Sequence, residues 1–278
     1  MPLRTKILIT LCVVSLLPLD ARGWGPSGHR LIASKAVETL PPELSAFFEA
    51  SRNALARHCT EPLDWLAKNP AGEKPNQYIL LDRYGAFPFE TLPRDYQAAV
   101  KKHTARVVRG NGVLPWNIGV YSEKLTKAFK AGDWDEARRV AAHLAFYVAE
   151  AHDPFSTTEN DEGQHSGQRG VNARFGTSLV DRFSAFFFVR PNDAVYVEDP
   201  TDHAFEICLS AHSWLENILL SDRRAKRGLG DYNDEYYDRF YNQAGAVLIR
   251  EVSDAATDVG SYWLTAWVNA GRPQLPSR

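Results

Sequence analysis

Apolar residues recur at three- and four-residue spacing over most of this chain, and strict apolar–polar alternation is almost absent. The first pattern is that of amphipathic helices; the second is what a half-buried strand requires. The sequence therefore predicts an all-α fold, a single-domain multi-helix bundle. From His29 to Leu40 the stripe is Leu31, Ile32, Ala36, Val37 and Leu40. Pro41-Pro42 breaks it and opens a second helix, with Leu44, Phe47, Phe48 and Leu55 on its buried side. Residues 58–85 read as irregular. A helix from about Asp95 ends at Gly110-Asn111-Gly112, and Leu114-Pro115-Trp116 leads into another. Gly132 stops that one. Asp133, with Glu136 three residues on, reads as a capping box for the next. That helix ends at Pro154, which cannot continue it. Further helices are expected from Val171, over residues 201–221, and as one long or kinked element from Tyr232 to Ala270. Arg223 to Gly230 reads as a basic linker.

The formal charge of −2 leaves no basic footprint of a dedicated nucleic-acid binder. Arg4 and Lys6 precede an apolar run from Ile7 to Leu19. That run falls short of the roughly 20 residues a spanning helix takes. Ala21-Arg22-Gly23 supplies small residues for cleavage before Trp24. The expectation is a signal peptide over residues 1–23, a mature domain over 24–278 without a transmembrane segment, and a secreted or periplasmic protein. Cys59 and Cys208 would remain, and the sequence leaves open whether they are bonded or free.

The chemistry concentrates between Ala142 and Gly176. His143, Glu150, His152, Asp153 and His165 fall within 23 residues, and imidazoles with carboxylates suit zinc. Phe146 and Glu150 share a helix face, and His143 lies one turn before Phe146 on the same side. His152 sits about 200° round the helix from Glu150, so it reads as part of a polar helix end. His165 reads as solvated. At the other end of the chain, a free α-amino group on Trp24 with its own carbonyl could chelate a metal, and His29 follows five residues later.

Tyr147 to Phe155, Thr157-Thr158-Glu159-Asn160, Gly163-Gln164 and Gly170 to Phe175 resemble the zinc-dependent phospholipase C and S-one/P-one nuclease superfamily. Leu114-Pro115-Trp116 with its helix, and Trp24 with His29, extend that resemblance over about Trp24 to Ala270. The family carries an H-x-x-x-D-x-x-x-P-[LY]-H core, a Gly/Gln-rich loop, then H-x-x-x-[DE]. Here Phe146 takes the first His position, Glu150 the Asp and Ser156 the next His. Asn172 and Gly176 take the last two, and Gln77 stands for the His of a His-[FY]-I-D motif.

The resemblance implies a bundle of that type, zinc as cofactor, and phosphodiester hydrolysis as the ancestral reaction. Its substrates are phospholipids or single-stranded nucleic acids. One metal would be held by Trp24, His29 and Glu150; of a second site only Asp64, with Glu61 as competitor, and Glu150 remain. Asp64 is then the one candidate catalytic carboxylate. Five of the nine ligand positions are lost. Three readings follow: a metal-depleted pseudoenzyme or binding module, an active hydrolase using one metal or replacement ligands, and a purely structural exported protein. Tyr84, Phe87 and Phe89 read as core or as an apolar cleft wall.

Overall fold

The computed structural model describes residues 23–276. The apolar run Ile7 to Leu19 and Cys12 lie outside the described residues, and with them the structure of the expected leader. Among the described residues every regular element is helical, and no helix is long and apolar enough to cross a membrane.

The bundle is built round α9 (Trp134–Ala151), in which every residue from Val140 to Ala151 is buried. A helix apolar on all sides is one that neighbours surround, and α9 packs against α1 (Gly25–Ala36), α3 (Arg52–His58), α8 (Leu114–Ala131) and α13 (Asp234–Asn269). The α8–α9 connection is two residues long. Gly132 adopts a left-handed conformation, φ +68°, that closes α8, and Asp133 then accepts the Glu136 N–H at 3.1 Å. Two indoles fasten neighbours to α9 through its main chain. Trp24 Nε1 donates to the Ala149 carbonyl at 2.7 Å, and Trp263 Nε1 to that of Ala141 at 2.9 Å.

The C-terminal helix α13 is a single element of 36 residues, about 54 Å long at the helical rise. An extended segment lies along it. Arg190, Asn192, Val195 and Val197 donate their backbone N–H groups to the hydroxyls of Ser253, Thr257, Ser261 and Thr265, at 2.8–3.2 Å. The hydroxyls stand four residues apart, one stripe of the helix. The side chains thus do for the extended segment what a neighbouring strand would do.

Residues 58–85 are not irregular. They hold α4 (Glu61–Lys68), α5 (Pro70–Glu73) and two 3-10 turns. Each is eight residues or fewer, too short to show a period, and Pro62, Pro70 and Pro75 each open one. Leu55 belongs to α3 rather than to α2 (Pro42–Glu49). After α6 (Tyr96–His103) and α7 (Ala105–Gly110) the chain enters α8. The chain after Val171 winds as a π-turn over Ala173–Ser178 before α10 (Leu179–Phe183). The expected helix over residues 201–221 is two, α11 (Pro200–His212) and α12 (Leu215–Lys226). At the break the Ser213 hydroxyl donates to the Ser210 carbonyl at 2.6 Å, a local bond that competes with the helix. Arg223 and Arg224 are therefore helical, not linker. Cys59 and Cys208 are both buried and free.

Candidate metal cradle and polar cleft

The chain enters the bundle through the face of α9 that carries Phe146 and Glu150. Trp24 is fully buried, and the chain just before it is tightly held. The Gly23 N–H donates to Asn172 Oδ1 at 3.2 Å, and Thr177 Oγ1 donates to the Gly23 carbonyl at 3.3 Å. A Cβ at Gly23 would overlap both carboxylate oxygens of Glu150, so this backbone lies directly over that side chain.

His29, one turn into α1, faces the same carboxylate. Its Nε2 is 3.0 Å from Glu150 Oε1, with both side chains almost fully buried. Neither atom is aligned for a hydrogen bond to the other, and His29 Nδ1 also lacks a partner. Leaving a buried polar atom unpaired costs about 1–3 kcal/mol. One imidazole nitrogen of His29 and Glu150 Oε1, converging under the Gly23 backbone, are suited to a cation that would take a lone pair from each. On that ground Trp24, His29 and Glu150 fit one metal. Trp24 would hold it through its α-amino nitrogen and carbonyl once the chain begins there, His29 through an imidazole nitrogen, and Glu150 through Oε1.

The remaining positions are taken by other interactions. Phe146 stacks on His29, with ring centroids 4.2 Å apart and planes at 22°. The Ser156 hydroxyl donates to Glu150 Oε2 at 2.9 Å. Asn172 is occupied by Gly23. A Cβ at Gly176 would overlap the Gly23 carbonyl oxygen, so no side chain fits there beside that backbone. Gln77 is structural, as its residue type suggested: its amide nitrogen donates to Pro62 O at 3.2 Å and Glu73 Oε1 at 3.0 Å. These residues do not fit a second and third metal of the family's kind.

Glu150, Ser156, Asn172, Gln77, Tyr78 and Lys74 line a cavity of about 210 Å³. Drug-sized pockets run from roughly 300 to 1,000 Å³, so this one suits a small polar group. Trp24, His29 and Asp64 are not among its walls. Asp64 sits exposed in the first turn of α4. Beneath the cavity Asp153 is completely buried and accepts the Phe155 N–H at 3.1 Å. Burial and the neighbouring Glu150 charge push its carboxyl well above the usual range, so it favours the protonated form.

His152 does face away from Glu150, yet it is no surface cap. It is buried against α13, with Nε2 2.9 Å from Asp258 Oδ2 and Nδ1 3.4 Å from Glu251 Oε2. His203 Nε2 reaches the other Asp258 oxygen at 2.8 Å. Burial opposes the charged imidazole, but Asp258 and Glu251 outweigh it and raise His152 to about 9. His165 is exposed, as expected. Tyr84 and Phe89 are core, while Phe87 is largely exposed and lies parallel to His212 at 6.4 Å.

The sequence puts His143 on the face of Phe146 and Glu150, a candidate to replace the ligand absent at Phe146, and leaves Glu61 a competitor of Asp64. In the structure Glu61 joins two imidazoles: Oε2 is 2.6 Å from His143 Nε2 and Oε1 is 2.7 Å from His58 Nδ1. Burial holds His143 below the ordinary imidazole range, although Glu61 pulls the other way. Burial also opposes ionisation of Glu61, but the bonds from His143 and His58 prevail and hold its carboxyl below the usual range. The i, i+3 spacing of His58 and Glu61 was visible in the sequence; their meeting with His143, 82 residues away, was not. Compared with models of protein families and with curated proteins, the chain gives no match to either.

Proposed function

We propose that this is an exported relative of the zinc-dependent phospholipase C and S-one/P-one nuclease superfamily that keeps one metal cradle and has lost the hydrolytic centre. It is a binding protein built on a phosphodiesterase scaffold. The observation that carries this reading is the buried pair His29 Nε2 and Glu150 Oε1, 3.0 Å apart without a hydrogen bond between them, under the Gly23 backbone. One zinc there would tie the mature amino terminus to α9 and present positive charge beside the cavity.

The family's reaction calls for clustered metals that generate hydroxide and clamp the phosphate oxygens. With Phe146 and Gly176 carrying no ligand atom and the Ser156 hydroxyl bonded to Glu150, this chain's residues supply no such cluster. What faces a ligand in the cavity is the Lys74 amine, with the Gln77, Asn172 and Ser156 side chains and the Glu150 and Asp161 carboxylates in the wall. The ligand class by descent is a phosphoester, met through its small anionic group rather than enclosed whole.

The test is elemental analysis of the untagged exported protein, with hydrolysis of an activated phosphodiester measured alongside. The reading expects one equivalent of zinc lost on His29→Ala and no turnover at zinc saturation. Zinc content unchanged by His29→Ala would sink the cradle, and zinc-dependent turnover would return the chain to the hydrolases.

A further inference from the structure

His58 ends α3, Glu61 opens α4, and His143 comes from the middle of α9. Neither histidine stands at a ligand position implied by the resemblance, and Glu61 enters it only as the competitor of Asp64. Their ligating atoms, two imidazole nitrogens and the carboxylate, all lie within 4.8 Å of one another. We propose that His58, Glu61 and His143 form a divalent-metal site of the zinc class, separate from the amino-terminal cradle.

The donor set is two imidazoles and a carboxylate, which suits zinc and its first-row neighbours and leaves a coordination position open. Zinc bonds of about 2.0–2.2 Å put neighbouring tetrahedral ligand atoms about 3.4 Å apart. The 2.6 and 2.7 Å contacts would open by under 1 Å to admit the ion. That movement is available to two of the three. The Glu61 and His58 side chains are one-third and one-quarter exposed, on the short corner Cys59-Thr60. The third is held still. His143 is buried, with Trp65 edge-on to its ring at 4.6 Å and Tyr121 at 6.2 Å. A fixed buried ligand with two adjustable ones at the surface gives the ion both a seat and an approach path.

Without metal the carboxylate accepts an N–H from each imidazole. On binding, each proton transfers through solvent to the ring's other nitrogen, so both rings remain neutral and usable as ligands.

The probe is zinc itself, titrated by competition with a chromophoric chelator into the metal-stripped full protein. His29→Ala serves as the background, so that only this site is read and the fate of the amino-terminal cradle does not matter. The expected result is one tightly held equivalent. His58→Ala or Glu61→Gln should weaken it about 100-fold, the worth of one ligand in a zinc site. Both substitutions are partly exposed and leave His143 in place, and a thermal melt confirms folding. Should His29→Ala fail to fold, cobalt titrated into otherwise unaltered Glu61→Gln protein gives the same reading through its visible absorption. No tight equivalent in the His29→Ala protein, or one indifferent to both substitutions, overturns the site.

Discussion

The His29 imidazole lies flat against the Phe146 ring, centroids 4.2 Å apart, so the residue that the proposed kinship puts at a ligand position packs against a candidate ligand. Phe146 does not merely lack a nitrogen. Its ring covers one face of the imidazole, whose Nε2 lies 3.0 Å from Glu150 Oε1.

On the proposed kinship, installing the superfamily's ligands should add metal, but only together with cleavage. The combination Phe146→His, Ser156→His, Asn172→His and Gly176→Glu is expected to add one equivalent of zinc in a chain that starts at Trp24. While Gly23 is retained no gain is expected, because a side chain at 176 meets its carbonyl. Metal analysis of both forms, with the first residue established by mass spectrometry, decides it. An unchanged zinc content in the shorter chain means that the ligand frame is misplaced.

His152 gives stability a pH dependence on the alkaline side. Its folded pKa of about 9 lies above the ordinary 6.5, so its contribution is complete below pH 6.5 and is lost as pH rises through 9. The size is up to roughly 3 kcal/mol. Asp258, held below its usual range against the cost of burial, contributes in the opposite sense, and that part is lost only in strong acid. Urea midpoints between pH 6.5 and 9.5 should fall in the native protein. In Asp258→Asn, which leaves His152 with Glu251 and removes the His203 contact, the fall should be smaller. Equal slopes in the two proteins would remove His152 as the cause.

The hydroxyl stripe of α13 can be tested one rung at a time. Thr265→Val keeps the shape but leaves the buried Val197 N–H without its 2.8 Å acceptor. A cost of about 1–3 kcal/mol is expected by urea unfolding, with faster hydrogen exchange at Val197. Ser253→Ala, under the exposed Arg190, should cost less, since water can replace the lost partner. Equal, negligible costs at both positions would show that packing alone holds the segment.

The fold class was legible because it rests on local periodicity, and α9 with its Gly132 stop and Asp133 cap followed the sequence closely. The failures have a common physical source. Helices of eight residues, such as α4, end before a period is established. The break at Ser213 comes from a hydroxyl bonding its own chain, with no Pro or Gly to announce it. Of the site, the His29–Glu150 approach was anticipated from the resemblance alone. Asp64 was favoured over Glu61 by its place in that frame, yet Glu61 is the one that reaches α9. His152 was correctly turned from Glu150 by helix geometry, but its partners on α13 lie about 100 residues on. Such pairings are set by packing angles between helices, which no local pattern encodes.

The segment laid along α13 also bears on how this chain can change over evolutionary time. Its donors are main-chain groups, so most side chains from 190 to 197 are interchangeable, and Pro191 falls between the donors Arg190 and Asn192. The constraint falls on spacing. One residue inserted between Ser253 and Thr265 would swing every later hydroxyl about 100° round the helix, and one inserted in the segment would misalign its remaining amides. Insertions and deletions should therefore be excluded from both stretches together, while the segment's composition drifts and Ser or Thr persists at every fourth place of the helix.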